Sequence, residues 1–190
     1  FAAGADIAQL RDRRAADARA GINTRAFMRI HALPMPVIAV LDGYALGGGA
    51  ELAYAADIRV GTATLKIGNP ETGLGIIAAA GATWRLRGLV GEPLAAEILL
   101  AGRILDAGEA LAAGLITHLH DDGDAALAAA EKIASRIAKL DPAATQASKR
   151  VLGAPRNAHP QIDLAEQAIL FESPEKIRRM TEFLERKQSK

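Results

Sequence analysis

Three consecutive glycines stand two residues before a glutamate in the stretch LDGYALGGGAELAYAADIRV, residues 41–60. Glycine lowers helix stability by about 1 kcal/mol relative to alanine. Gly47–Gly49 therefore argue against a helix interior and for a backbone that turns tightly or approaches another group closely. Glu51 follows in the first turn of the predicted helix GGAELAYAAD, where the helix dipole favours an anion. The stretch predicts a helix start that presents a backbone N–H and a carboxylate to one cavity.

The composition excludes several classes of partner. The 23 Lys and Arg residues nearly balance the 22 Asp and Glu residues, and the net charge of +1 lacks the basic footprint of a nucleic-acid binder. With no cysteine and four scattered histidines, we predict no disulfide framework and no metal site. No apolar run reaches the roughly 20 residues that span a bilayer. We therefore expect a soluble, cytoplasmic protein with no nucleic-acid or membrane partner.

Strands alternate with helices in the first part of the chain, which predicts an α/β fold class. Residues 6–33 carry a helical pattern that is weakly interrupted at Gly21. The apolar run Val37–Leu41 predicts a strand buried on both faces. After the helix that the glycines open, Ile58–Val60 and Leu65–Ile67 predict two further strands.

The rest of the chain is predominantly helical. Short helices closed by glycine are predicted in AAAGATWRLRGLVG, EPLAAEILLAG and DAGEALAAG, the last with Asp106 as its N-cap. A last strand is predicted in LITHL, residues 115–119. Residues 122–190 carry helical periodicity throughout, with proline or aspartate at most helix starts.

Glu51 and Glu71 are the two acids that lie in glycine-rich, uncharged surroundings. Glu51 is either an ordinary acid at a helix start or a functional carboxylate, and Glu71 is either a turn residue after Pro70 or its partner. Two carboxylates that face one pocket can divide the roles of acid and base. Their spacing alone leaves both interpretations open.

Three motifs occur in order and with compatible spacing over most of the chain: FAAGADI, PVIAVLDGYALGGGAELAYAADIRV and NPETGLGIIAAAGATWRLRGLVG. Together they resemble the enoyl-CoA hydratase/isomerase family, the crotonase superfamily, and GYALGGGAEL is the most specific part of the match. The resemblance implies a crotonase-like ββα spiral core over 1–121, lacking its N-terminal strands, and a helical trimerisation region over 122–190. It also implies a homotrimer or a hexamer built as a dimer of trimers.

The resemblance also implies roles for individual residues. The backbone N–H groups of Ala5 and Gly48 match the two oxyanion-hole donors, and Glu51 and Glu71 match the two hydratase carboxylates. The substrate would be an acyl-CoA thioester, so that CoA is part of the substrate and no separate cofactor is expected. Substrate contacts are expected from Ala3, Ala5, Asp6, Ile7, Ala8, Gly48, Arg186 and Lys187.

The chain departs from the family pattern at two places. Ala8 stands where a lysine often helps to bind the phosphates of CoA, so the last helix is expected to supply cations. In AAAGATW, we expect Ala78 and Trp84 to reshape the acyl pocket. The candidate cations of the last helix are Lys176, Arg178, Arg179, Arg186 and Lys187.

The implied activity is hydration of a trans-2-enoyl-CoA thioester from fatty or branched acyl-CoA degradation. Glu51 would act as base toward the attacking water, and Glu71 would deliver a proton to C2. Isomerisation of an enoyl-CoA double bond is an alternative that can use one acid, and the presence of two acids favours hydration. A non-catalytic CoA-binding oligomer is a third possibility.

Overall fold

The computed structural model describes residues 1–188, and the chain divides into two compact units. The first unit holds Phe1–Leu33 and Val37–Ala134. The second holds Pro34–Pro36 and the chain from Ser135 onward. All of the predicted strands fall in the first unit, as do the glycine stretch and both candidate acids.

The first unit is an α/β structure with short elements. Its helices are α1 (Ile7–Asp12), α2 (Ala15–Ala20), α3 (Ile22–His31), α4 (Gly48–Ala55), α5 (Ala82–Val90), α6 (Glu92–Ala101) and α7 (Ala107–Ala112). Its strands are β1 (Ile38–Leu41), β2 (Tyr44–Leu46), β3 (Ile58–Thr62), β4 (Lys66–Gly68), β5 (Ile104–Asp106) and β6 (His118–His120). A 3-10 turn covers Pro70–Leu74.

The strands form two three-stranded sheets, and the first four strands alternate between them. One sheet has the order β1-β3-β6 with parallel neighbours, in which Val40 pairs with Val60 and Val60 pairs with His118. The other has the order β2-β4-β5, in which β2 is parallel and β5 antiparallel to β4. The first four strands thus form two repeats of two strands and a helix, with α4 and α5, which agrees with the predicted ββα order, and α7 separates β5 from β6.

The N-terminal segment lies against β2 and sets the position of α4. The N–H of Ala2 donates to the carbonyl of Tyr44 at 2.9 Å, and the N–H of Leu46 donates to the carbonyl of Ala2 at 3.1 Å. A Cβ atom at Gly49 would lie 1.9 Å from that same Ala2 carbonyl oxygen. Glycine is therefore required at this position by close approach of the two backbones.

Several predicted elements differ from those observed. The pattern over 6–33 predicted one helix, but three helices form, because Arg13 and Arg14 are extended between α1 and α2 and Gly21 takes a left-handed conformation (φ 55°) that ends α2. The predicted strand LITHL begins three residues late, at His118, since Leu115 and Ile116 pack in the core. Asp106 caps α7 as predicted, by accepting from the N–H of Glu109.

The second unit is helical, as predicted. It follows from α8 (Gly123–Ile137), which begins in the first unit, and contains α9 (Pro142–Leu152), α10 (Gln161–Phe171), α11 (Pro174–Gln188) and a 3-10 turn at Arg156–Ala158. Large apolar side chains of this unit are exposed: Leu164, Ile169, Phe171, Ile177, Met180, Phe183 and Leu184. Among residues 1–188, no helix combines the length and the apolar character needed to cross a membrane.

Candidate active site

A cavity of about 250 Å³ lies in the first unit, where the N-terminal segment, the start of α4 and the 3-10 turn meet. Its wall also includes residues of α1 to α3 and of the segment before α5. Both candidate acids line this cavity. The predicted site residues in the lining are Ala3, Ala5, Ile7, Gly48, Glu51 and Glu71.

The glycines at the start of α4 have separate structural reasons. Gly47 adopts φ 54° and ψ −123°, a region that side chains disfavour, and a Cβ there would lie 3.1 Å from Glu71 Oε1. Gly48 is the first residue of α4 and lines the cavity. Gly49 packs against the backbone of Ala2. The three glycines thus bring the helix start up to both the N-terminal segment and the second acid.

Two backbone N–H groups of the lining are available to a ligand. Within residues 1–188, the N–H groups of Ala5 and Gly48 donate to no protein acceptor. The N–H at the first position of a helix has no partner inside that helix and is well placed to stabilise negative charge on a bound oxygen. Ala5 is held near the start of α4 by the pairing of Ala2 with Ala45.

Glu51 lies one turn into α4 and is 3% exposed. Its Oε1 accepts hydrogen bonds from the N–H groups of Ala80, at 2.6 Å, and Ala82, at 3.2 Å. Burial raises the pKa of Glu51 above its ordinary value, and the charge of Glu71 raises it further, although the two N–H donors act in the opposite direction. The helix start alone would favour the carboxylate, but burial outweighs it.

Glu71 lies in the 3-10 turn and is half-buried. Its Oε1 is 3.4 Å from the Asn69 Nδ2 donor, and within residues 1–188 its buried Oε2 has no hydrogen-bond partner. Burial raises the pKa of Glu71, against the lowering effect of its hydrogen bonds to its own backbone N–H and to Asn69. The two acids therefore share one cavity but have different hydrogen-bond partners.

Two polar residues that the sequence analysis missed lie behind the site. Asn69, at the end of β4, is 1% exposed, and Tyr54 of α4 is also buried. The Tyr54 hydroxyl donates to Asn69 Oδ1 at 3.1 Å, and burial raises the pKa of that hydroxyl. The signal for Asn69 in the sequence is its place between a predicted strand and the Pro70-Glu71 pair.

The apolar side of the cavity was only partly predicted. Thr24 of α3 donates from Oγ1 to the carbonyl of Ala79 at 3.2 Å, which ties α3 to the segment before α5. Apolar side chains of this wall are suited to an acyl chain. They belong to Ile7, Leu10, Ile22, Leu46, Leu74, Ile76 and Ile77.

Other predicted residues lie outside the cavity lining. Asp6 uses its carboxylate to cap α1 by accepting from the N–H groups of Ala8 and Gln9, and neither Asp6 nor Ala8 lines the cavity. Arg186 and Lys187 lie near the end of α11 in the second unit. The CoA-binding roles of these four residues stay predictions.

The expectation that Ala78 and Trp84 reshape the acyl pocket is wrong for the cavity lining, which includes neither residue. The Ala78 side chain packs in the core, and Trp84 lies in the first turn of α5 with 47% of its surface exposed. From this segment, Ala79 and Ala80 line the cavity instead. Among the described residues, no three His, Cys, Asp or Glu side chains are grouped so as to hold a metal ion.

Comparison with known proteins identifies the family. A sequence model of the enoyl-CoA hydratase/isomerase family matches residues 1–190. The chain belongs to this family. It is 36% identical to the short-chain-enoyl-CoA hydratase of Clostridium acetobutylicum over 91% of this chain and 65% of that protein. It is 35% identical to the crotonyl-CoA hydratase of Syntrophomonas wolfei over 100% of this chain and 75% of that protein.

Solved structures confirm the predicted crotonase-like fold. The crystal structure of enoyl-CoA hydratase from Bacillus anthracis is similar with a TM-score of 0.90 and 29% sequence identity. The match covers 98% of this chain and 74% of that chain. Across the relatives named here, this chain thus spans roughly two thirds to three quarters of the relative's length.

Proposed function

We propose that this protein hydrates trans-2-enoyl-CoA thioesters to 3-hydroxyacyl-CoA. The observation that carries the proposal is the meeting, in one cavity, of a buried and a half-buried carboxyl group with two backbone N–H groups that have no protein acceptor within residues 1–188. The names of the relatives support the same reaction class, since they include hydratases of crotonyl-CoA and of other short-chain enoyl-CoA thioesters.

The N–H groups of Ala5 and Gly48 would bind the thioester oxygen. When water attacks C3 of the enoyl group, electron density moves onto that oxygen, and fixed donors stabilise the charge without having to reorganise. Loss of one such donor typically costs about 3 kcal/mol of transition-state stabilisation. A backbone donor does not depend on the identity of its own side chain, and the glycines required on either side, Gly47 and Gly49, set the position of the Gly48 N–H.

The two acids would handle the proton transfers. Glu51 is held by two N–H donors through one oxygen, so its other oxygen can orient and deprotonate the attacking water. Among residues 1–188, the buried Oε2 of Glu71 has no protein partner, so it is available to contact the same water and to deliver a proton to C2. The O–H bond of the water and the C2=C3 π bond break, and new bonds form from oxygen to C3 and from hydrogen to C2. Glu51 gains the proton of the water and Glu71 gives one to C2, so the pair returns to its starting state when the proton passes from Glu51 back to Glu71.

The pKa directions of the two acids favour one proton shared by the pair and do not by themselves assign it to either residue. Burial raises the pKa of both, and the negative charge of Glu71 raises the pKa of Glu51 further. Neighbouring carboxyl groups in such a setting lose their protons in two steps that belong to the pair. The state with one proton between them supplies one base and one acid at the same time.

The substrate would be held by its acyl chain and by CoA. The apolar wall around Leu74, Ile76 and Ile77 would contact the acyl chain. CoA would enter as part of the substrate, so the proposed reaction uses acids, N–H donors and water and needs no further cofactor. The CoA phosphates would contact cations, for which Arg186 and Lys187 remain the candidates.

The proposed reaction is tested by incubating the protein with crotonyl-CoA and following the absorbance of the enoyl thioester. Hydration predicts decay of the absorbance and formation of 3-hydroxybutyryl-CoA, identified by mass. Binding measured calorimetrically without turnover would favour a non-catalytic CoA-binding oligomer. Conversion of a 3-enoyl-CoA to its 2-enoyl isomer without hydration would favour the isomerase alternative.

We also infer a homotrimer or a hexamer. The second unit carries exposed apolar side chains on α10 and α11, and contiguous patches of this kind usually mark interfaces. Phe171, Met180 and Phe183 are among them. Light scattering that returned a stable monomer at the concentrations of the activity assay would reject the inference. A cytoplasmic location stays a prediction.

A further inference from the structure

We propose that Asn69 is a positioning residue that holds both the Gly48 N–H donor and the Glu71 carboxyl group for reaction with the thioester. The inference rests on the proposed function, because it assigns Asn69 a role within that site. Asn69 itself does not line the cavity. It would act through its neighbours.

The Asn69 amide makes hydrogen bonds through both its ends. Its Oδ1 accepts from the Tyr54 hydroxyl at 3.1 Å. Its Nδ2 lies 3.4 Å from the Gly47 carbonyl oxygen and 3.4 Å from Glu71 Oε1, the long end of the hydrogen-bond range. The Tyr54 hydroxyl donates a hydrogen bond, and Oδ1 is the only acceptor of the amide group. This hydrogen bond therefore fixes the orientation of the amide, so that its NH2 group points toward the site.

The contact with Gly47 bears on the oxyanion donor directly. The carbonyl of Gly47 and the N–H of Gly48 belong to the same peptide group. That carbonyl also accepts from the N–H of Glu51 at 3.0 Å. Donation to the carbonyl polarises the peptide group, so its N–H becomes a stronger donor, and two donors also fix the plane in which the N–H points. Asn69 thereby acts on the group that would bind the thioester oxygen.

The contact with Glu71 bears on the proton transfer. Asn69 donates to Oε1 and leaves Oε2 without a partner, so it selects which carboxyl oxygen is available to substrate. The same hydrogen bond lowers the pKa of Glu71 against the effect of burial. The Asn69 side chain, which lies outside the cavity lining, therefore contacts both the peptide group of the oxyanion donor and the Glu71 carboxyl group.

A purely structural role is the competing explanation, since any buried polar network stabilises the fold. Thr62 provides a matched control. It is as buried as Asn69, and its hydroxyl donates to Asp42 Oδ1 at 2.8 Å in a network outside the cavity lining. Thr62→Val removes a buried hydrogen bond without touching the site. A structural role predicts that Asn69 and Thr62 variants lose stability but keep their turnover rate.

Asn69→Asp and Asn69→Ser are the test variants, because each removes the NH2 donor. Asn69→Asp keeps an acceptor for Tyr54, and Asn69→Ser adds no charge, so one of them suffices if the other does not fold. Asn69→Gln, which retains the amide, is the conservative variant. Tyr54→Phe keeps the donor but loses the group that orients it.

Two readouts are measured on each variant. One is kcat and KM for crotonyl-CoA hydration. The other is the infrared stretching frequency of the thioester carbonyl in bound butyryl-CoA labelled with ¹³C at that carbon, which reports how strongly the N–H donors polarise the carbonyl. Butyryl-CoA lacks the double bond, so the second readout requires binding but no turnover.

We expect Asn69→Asp and Asn69→Ser to lower kcat by about tenfold with less than about threefold change in KM, and to reduce the shift of the bound carbonyl frequency. Tyr54→Phe should lower kcat by about threefold, Asn69→Gln should recover most of the loss, and Thr62→Val should leave kcat and the frequency unchanged. Unchanged kcat and carbonyl frequency in folded Asn69→Asp or Asn69→Ser protein would overturn the proposal.

Failure of the proposed function gives a different result. A wild-type protein that binds butyryl-CoA but does not hydrate crotonyl-CoA would reject hydration. In that case the carbonyl frequency decides about Asn69. A frequency shift that is present in the wild type and reduced in Asn69→Ser supports the positioning role, and equal shifts in the two proteins reject it.

Discussion

The start of α4 and the 3-10 turn at Pro70–Leu74 each bring one acid to the same cavity, but they do so in different ways. Glu51 belongs to a regular helix, and two backbone N–H groups hold one of its oxygens. Glu71 belongs to a short turn, with one long hydrogen bond to a side chain and a buried oxygen that has no protein partner in the described part of the chain. The Glu51 carboxyl group is held by backbone donors, whereas the Glu71 carboxyl group keeps one oxygen available to a bound ligand.

This difference in hydrogen-bond partners explains how two glutamates in one cavity can have different roles. Burial raises the pKa of both acids, so burial alone does not distinguish them. Their hydrogen-bond partners do. An unsatisfied buried oxygen costs about 1–3 kcal/mol, and a substrate or water that binds to Glu71 Oε2 recovers that cost. An unsatisfied buried oxygen of this kind is typical of a group that forms its hydrogen bond with a ligand.

The largest expected effect concerns the backbone of the helix start. In Gly49→Ala, the new Cβ would lie 1.9 Å from the Ala2 carbonyl oxygen, so the N-terminal segment that carries Ala5 must move. We expect a loss of about 3 kcal/mol or more in unfolding free energy and loss of measurable hydration. Chemical denaturation and the crotonyl-CoA assay measure the two quantities.

The turn provides the matched control. A Cβ at Gly73, in the 3-10 turn, would meet no atom within 4 Å. Gly73→Ala should therefore change stability by less than about 1 kcal/mol and leave hydration intact. If Gly49→Ala were equally harmless, the close approach of α4 to the N-terminal segment would not define the site.

The next largest effect concerns the acids themselves. Glu51→Gln keeps an oxygen that can accept from the N–H groups of Ala80 and Ala82 but removes proton transfer. We expect this change, and Glu71→Gln likewise, to lower kcat by about 10²-fold or more with little change in KM. Glu97→Gln, an exposed acid of α6, serves as the control and should leave kcat unchanged. Full activity of Glu71→Gln would remove this residue from the mechanism.

The residues of the helix start could be predicted from the sequence because their types are unusual where they stand. Three glycines before an acid have few structural explanations, and Gly47 and Gly49 are indeed required by backbone conformation and close approach. The acids Glu51 and Glu71 were found because their sequence neighbours are uncharged. Apolar runs likewise predicted β1, β3 and β4.

Other features depend on contacts between residues far apart in the sequence. The three-residue strands β2 and β5 are too short to carry a pattern, and both pair with β4 in the folded chain. The Tyr54–Asn69 pair joins residues 15 positions apart, and each residue type is ordinary where it stands. Of the two breaks within 6–33, the pattern marked the left-handed Gly21 only weakly and did not mark the extended residues Arg13 and Arg14.

The smallest expected effect concerns stability and pH. Because burial raises the pKa of Glu71 above the ordinary 4.5, the folded chain binds this proton more tightly than the unfolded chain. The stabilising contribution is therefore fully present below the unfolded pKa and is lost as pH rises through the folded pKa. Glu71→Gln should match the wild type in acid and exceed it by about 1–3 °C in melting temperature near pH 7. A difference independent of pH would contradict the shift.

In the proposed mechanism, Glu51 of the helix start and Glu71 of the turn act on the same transition state. The double variant Glu51→Gln/Glu71→Gln tests this shared action. Its kcat for crotonyl-CoA hydration is compared with the two single variants in one double-mutant cycle. Residues that act as a unit show strongly non-additive losses. We predict that the double change costs much less than the product of the two single losses. A loss equal to that product would mean that the two acids contribute independently, and would contradict a shared site of action.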